Sequence, residues 1–266
     1  MLFLYPKFIT KGFIILWRIT KQQAMIKFFR KIRQNLLLQH KTGKYFKYAI
    51  GEIVLVVIGI LIALSINNWN EQNKSKLVEI KILSELKNDL NSNYHEISGI
   101  RNVTIIAQKK TDSLIEVINH KNFDMSIHLT LLYGMNSGQY GIFNNANTTY
   151  KFIENNGFKT LSNDSLRLSI SKMYTQRFSN ITFRQATFKK FIEENIWPYV
   201  STNFYLDDYN KPTPVDLSPF SDVKFMNLLS KKAILLEASI STTGKCLKEL
   251  EWLVQEVEKE IVRLKE

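Results

Sequence analysis

Acidic residues are missing from the first 50 positions of this chain. Those positions hold Lys7, Lys11, Arg18, Lys21, Lys27, Arg30, Lys31, Arg33, Lys41, Lys44 and Lys47. The formal net charge is +12 and this arm carries +11, which leaves +1 (12 − 11) for everything after it. The high pI therefore reports one basic arm. It weakens the case for a basic nucleic-acid face on the rest of the chain, and no nucleic-acid partner is expected.

Cysteine is nearly absent. Cys246 is alone, which excludes an intramolecular disulfide and predicts a small buried residue. Glycine and proline are also few, at 10 and 5 in 266 residues. With Lys, Asn, Ile, Leu and Glu plentiful, that scarcity predicts helices over a β-sandwich.

Chemical motifs are missing too. The four histidines, His40, His95, His120 and His128, form no HExxH and no zinc-spaced set. There is no P-loop, GxGxxG or GxSxG. Asp207, Asp208 and Asp216 lack calcium-loop spacing and predict a solvated acidic loop. The expectation is a non-enzyme with no catalytic residue, no metal and no cofactor.

What is present is one long apolar stretch, Tyr48–Trp69, YAIGEIVLVVIGILIALSINNW. Ile53 to Ile66 carries no charge, and Ser65 is its only polar side chain. With its flanks the stretch reaches about 22 residues, or roughly 33 Å as a helix, enough to cross a bilayer. Tyr45, Phe46, Tyr48 and Trp69 bracket it as an aromatic belt does. The stretch predicts a transmembrane helix over 48–69. The positive-inside rule then puts the arm in the cytoplasm and the C-terminal part across the membrane. Ala63-Leu64-Ser65 also resembles a signal-peptidase site, so cleavage of the span is a competing reading.

Upstream, residues 25–47 form a basic amphipathic arm. Lys27, Arg30, Lys31 and Arg33 are its candidate headgroup contacts, while Phe28, Phe29 and Ile32 can face lipid. A purely topogenic arm is the plainer reading. Residues 1–24 lack both a span and a cleavage site, and Met25 opens a cleaner beginning, MIKFFRKIRQ. Translation is expected to start there.

MIKFFRKIRQ, followed by KYAIGEIVLVVIGILIALSINNWNE, resembles the start of a family of uncharacterised single-pass membrane proteins common in Gram-negative Bacteroidota. The likeness covers residues 25–71, and Ser65 stands where the family pattern has Gln. TYKFIENNGFKTLSNDSLRLSISKMYT, residues 149–175, is a second and weaker likeness. The resemblance implies an inner-membrane topology with a periplasmic domain, and no activity.

Within the span, Gly51, Leu55, Gly59 and Ala63 recur every four residues, and Gly59 and Ala63 form a small-xxx-small pair. Glu52 lies about one turn inside the stretch. It can snorkel to headgroups or meet a partner. This face is the candidate packing surface for a protein partner or a second copy, with the lipid bilayer as the other partner.

After Trp69, residues 70–266 read as one helical domain. A long helix runs to about Lys121, with Leu77, Ile80, Leu83, Leu86, Leu90, Tyr94 and Ile97 on one side, continued by Ile100, Val103, Ile106, Leu114 and Val117. MSIHLTLLYG predicts a short helix, and Ala146–Asn155 another that stops at Gly157. Asn163 or Asp164 caps a helix that reaches Trp197 and ends at Pro198. The Pro- and aromatic-rich segment 198–221 predicts a loop lying on the domain, with Tyr199, Phe204, Tyr205, Tyr209 and Phe220 as a candidate binding surface. Ser221 or Asp222 caps the last helix, with an interruption near Ser241–Gly244.

The expected architecture is all-α, one N-terminal transmembrane helix followed by an extracytoplasmic antiparallel helical bundle. The functional expectation is an anchored interaction module or accessory subunit of an envelope complex. A solute-sensing helical module is the alternative, and a membrane-anchored enzyme is a third reading.

Overall fold

The structure is a computed structural model that describes residues 27, 30, 31, 34, 42–120, 142–205, 213–216 and 218–266. The fold is all-α. Helix α1 spans Thr42–His120, α2 Thr148–Asn155, α3 Asp164–Lys172, α4 Ser179–Phe191, α5 Trp197–Asn203 and α6 Val223–Lys265. A two-residue antiparallel pair, β1 (Phe204–Tyr205) with β2 (Thr213–Pro214), is the strand content among the described residues. The chain divides into two compact units, Met1–Asn73 and Lys74–Glu266. The predicted helix within MSIHLTLLYG lies outside the described residues.

In the first unit every side chain of α1 from Ile53 to Ile66 is exposed. Among the described residues this is the one helix long and apolar enough to cross a membrane.

The second unit is built on heptads. Leu83, Leu86, Leu90, Asn93, Ile97, Ile100, Ala107, Thr111, Leu114 and Ile118 of α1 are buried at alternating three- and four-residue spacing, with half-buried Thr104 in the remaining place. Helix α6 repeats the pattern with Phe225, Leu229, Lys232, Leu236, Thr243, Cys246, Leu250, Leu253, Val257, Glu260 and Leu264. That spacing keeps one seam of each helix turned to its neighbours. The two helices run antiparallel. Lys87 bridges Glu258 at 2.9 Å, and fourteen residues on, Arg101 lies against Gly244, fourteen residues back (101 − 87 = 258 − 244).

The apolar stripe of α1 is thereby corrected. Val103 and Ile106 are exposed, as is Leu77. The seam keeps its heptad register through Thr104, Ala107 and Thr111, so following the largest apolar side chains leads off it.

Two apolar clusters result. The first joins Leu83–Ile100 of α1 to Ile153, Ile170, Tyr174, Phe178 and the C-terminal half of α6. The second joins Ala107, Leu114 and Ile118 to Phe188, Ile192, Ile196, Tyr199, Phe225 and Leu229.

Local signals explain the joints. Gly157 adopts φ +74°, a left-handed conformation that glycine enters without a Cβ penalty, and it opens the 3-10 turn Phe158–Thr160. Asn163 caps α3, its side chain accepting from the Leu166 N–H at 3.0 Å. Asp222 caps α6, accepting from the Lys224 N–H at 2.8 Å.

Two breaks expected from the sequence do not occur. Pro198 does not end its helix. A π-helical turn, Ile192–Ile196, leads into it, and the backbone stays helical through Pro198. The helix stops instead at Asn203. The last helix runs unbroken from Val223 to Lys265. Its Ser241–Gly244 stretch contains a glycine because of close approach: a Cβ on Gly244 would stand 3.3 Å from Arg101 Nε.

Candidate functional site

The four residues of the predicted packing face all lie on α1. Gly51, Leu55, Gly59 and Ala63 are exposed, and a Cβ at Gly51 or Gly59 would meet open space. Glu52 is half-buried on the same helix. On the arm, Lys27, Arg30 and Lys31 are helical and exposed, while Arg33 lies outside the described residues.

The aromatic segment is different from its prediction. Tyr199, Phe204 and Phe220 are buried and converge on Phe225. Tyr199 stacks on it at 5.3 Å and 11°, with Phe204 at 5.9 Å and Phe220 at 6.2 Å. These rings are core. Tyr205 is exposed, and Tyr209 lies outside the described residues. The segment is also less loop-like than predicted, because α5, the β1–β2 pair and the 3-10 turn Ser218–Ser221 occupy much of it. Composition alone does not distinguish rings turned inward from rings on display.

The Tyr199 hydroxyl donates to Asp222 Oδ2 at 2.7 Å, and the Lys224 ammonium lies 5.8 Å from the ring centre. Burial raises the phenol well above its ordinary pKa, and the hydrogen bond to Asp222 adds to it. The same hydrogen bond holds the Asp222 carboxyl below the usual carboxylate range, helped by the Lys224 N–H. The phenol therefore stays protonated at neutral pH, an anchor rather than a base. A depression of about 460 Å³ opens beside this pair, with Glu194, Thr202 and Asn203 on its rim.

A second depression, about 320 Å³, lies between α3 and the C-terminal half of α6. Trp252, Glu256, Lys259 and Arg263 recur at i, i+4, i+7 and i+11, so they form one wall. Ser165, Leu166 and Ser169 form the other. Beneath one end sits a polar knot. Buried Glu260 accepts from Asn163 Nδ2 at 3.0 Å and, side-on, from Nε and Nη2 of the Arg263 guanidinium. Buried Glu79 accepts from the Ser162 N–H at 2.7 Å and from its hydroxyl at 3.0 Å. Arg263 Nη2 reaches Ser162 Oγ at 3.3 Å. The Arg263 hydrogen bond, with its charge, holds the Glu260 carboxyl below its ordinary pKa.

Other polar groups sit in the seam itself. Fully buried Asn93 exchanges two hydrogen bonds with the Ala146 backbone, at 2.9 and 2.8 Å. Lys232 is fully buried, and burial, with Lys110 nearby, brings its pKa down to about 8. The predicted isolation of Cys246 holds: it is buried, and burial pushes its thiol up to about 12. Among the described residues no three His, Cys, Asp or Glu side chains gather closely enough to hold a metal. Sequence reasoning missed Trp252, Glu260 and Arg263. Their helical spacing was legible, but the groove depends on α3 arriving opposite.

Residues 52–231 match the family model described as Family of unknown function (DUF6090). The chain belongs to this family. The match begins at the intramembrane-candidate Glu52, takes in the second resembling stretch at 149–175, and stops within α6. The matched residues take in the apolar stretch and the rings around Phe225, while Trp252 and Arg263 lie beyond them. No curated protein matches the chain. No solved structure matches it either.

Proposed function

We propose that this protein is a non-enzymatic, single-pass inner-membrane protein whose periplasmic helical bundle is an interaction module or accessory subunit of an envelope complex. One observation carries the reading. The side chains from Ile53 to Ile66 are all exposed on one helix, next to a unit that has its own buried core. Exposed apolar surface on that scale supports a lipid surround. The charge asymmetry supports an orientation with the arm in the cytoplasm.

The interaction surface is drawn from the faces left open. Gly51, Leu55, Gly59 and Ala63 offer a close-packing stripe to another transmembrane helix. The aromatic segment contributes little to such a surface, since its described rings other than Tyr205 face inward. Solute sensing between helices is the second reading. The two depressions favour it less, because both are open and polar-rimmed where a sensing pocket encloses its ligand.

The test is a native pull-down. A C-terminally tagged chain is extracted from its own membranes in mild detergent, and co-purifying proteins are quantified. A stoichiometric partner, lost on Gly59→Leu, is the expected result. Recovery of the parent chain alone overturns the accessory-subunit reading.

A further inference from the structure

The groove between α3 and α6 has the make-up of a carbohydrate site, and we infer that it binds a neutral linear oligosaccharide. It does not depend on the function proposed above.

Trp252 is half exposed, an unusual placement for an indole with a packed core beneath it. It lies in a groove whose lining, Leu166 apart, is hydroxyl, amide and charged groups, among them Ser165, Ser169, Asn163, Glu256, Lys259 and Arg263. An indole face beside planar polar groups suits a ligand that is apolar on its ring faces and polar round its edge. A pyranose ring, with C–H groups on its faces and hydroxyls at its rim, is such a ligand.

Charge decides between sugar classes. Lys259 pairs with Glu256 at 2.7 Å, and Arg263 is held by Glu260. The cations are thus paired within the chain, and a groove with no net charge suits an uncharged occupant. Their remaining donors stay available, since the Lys259 and Arg263 side chains are more than half exposed. Buried Glu260, gripped by Asn163 and Arg263 together, fixes the orientation of both. Polar groups held in place before binding lose little freedom on binding.

Shape decides length. The wall from Trp252 to Arg263 extends over eleven residues, roughly 16 Å at 1.5 Å per residue. That is longer than one pyranose ring and open along its side, as a chain of sugars needs.

The test uses the full-length chain in lipid nanodiscs, because maltoside detergents would present a competing sugar. Saturation-transfer NMR is recorded with chitotetraose and maltotetraose, and with a neutral pentapeptide as the protein-like probe. Transfer to at least one tetrasaccharide is expected. Trp252→Ala should weaken it roughly tenfold or more, Trp252→Phe should retain most of it, and Ile234→Ala, elsewhere on α6, should leave it unchanged. Circular dichroism confirms that each variant folds. No transfer to either sugar at millimolar concentration overturns the inference. So does equal transfer in Trp252→Ala, or transfer to the pentapeptide alone, which would assign the groove to a peptide.

Discussion

Gly244 of α6 lies against Arg101 of α1, so closely that a Cβ on the glycine would stand 3.3 Å from the arginine Nε. The contact is in register with the Lys87–Glu258 ion pair fourteen residues away. A second helical glycine, Gly99, has open space where its Cβ would be. Gly99→Ala should therefore stabilise the domain by about 1 kcal/mol through helix propensity. Gly244→Leu should cost roughly 1–3 kcal/mol, because Arg101 must move out of a packed seam. Urea unfolding midpoints measure both. A stabilising Gly244→Leu would remove the close approach as the reason for glycine there.

The inward aromatics give an opposing pair of expectations. Phe204→Ala deletes a buried ring beside Phe225 and should cost about 3–5 kcal/mol. Tyr205→Ala, one residue on and exposed, should stay within about 0.5 kcal/mol of the parent. Equal small effects at both positions would restore the reading of this segment as a displayed surface.

Lys232 sets a pH dependence. Its folded pKa of about 8 lies below the ordinary 10.5 of the unfolded chain. Between those values the unfolded state holds a proton that the folded state has released, so this residue's contribution to stability rises with pH across that window and is flat below it. Unfolding is followed at pH 7.5 and pH 10 in the parent and in Lys232→Met. Other groups titrate alike in both, and the parent should gain more stability on going to pH 10. Parallel behaviour would show that Lys232 ionises as it does in water.

Cys246 should be inert in the native protein. It is buried beside Met173, and its thiol is pushed up to about 12, so thiolate is scarce at neutral pH. A maleimide reagent at pH 7.5 should label it only after urea unfolding, and mass spectrometry reads the outcome. Rapid labelling of the folded chain would contradict its burial.

Much of this protein follows from its sequence alone. Scarce glycine and proline together with helical spacing give all-α structure, and the uncharged run from Ile53 to Ile66 gives, among the described residues, the one helix long and apolar enough to cross a membrane. Side chains that bond to their own backbone give the caps at Asn163 and Asp222. Each of these is a local property, decided within a few turns of chain. Tertiary structure decided the rest. The α1 seam runs through Thr104, Ala107 and Thr111, because burial follows the register shared with α6 rather than the size of each side chain. Pro198 stays helical because a π turn precedes it, and Tyr199, Phe204 and Phe220 turn inward because Phe225 lies where they can meet. The groove at Trp252 exists only because α3 packs beside α6. Those outcomes depend on residues far apart in the chain, whose meeting no local pattern specifies.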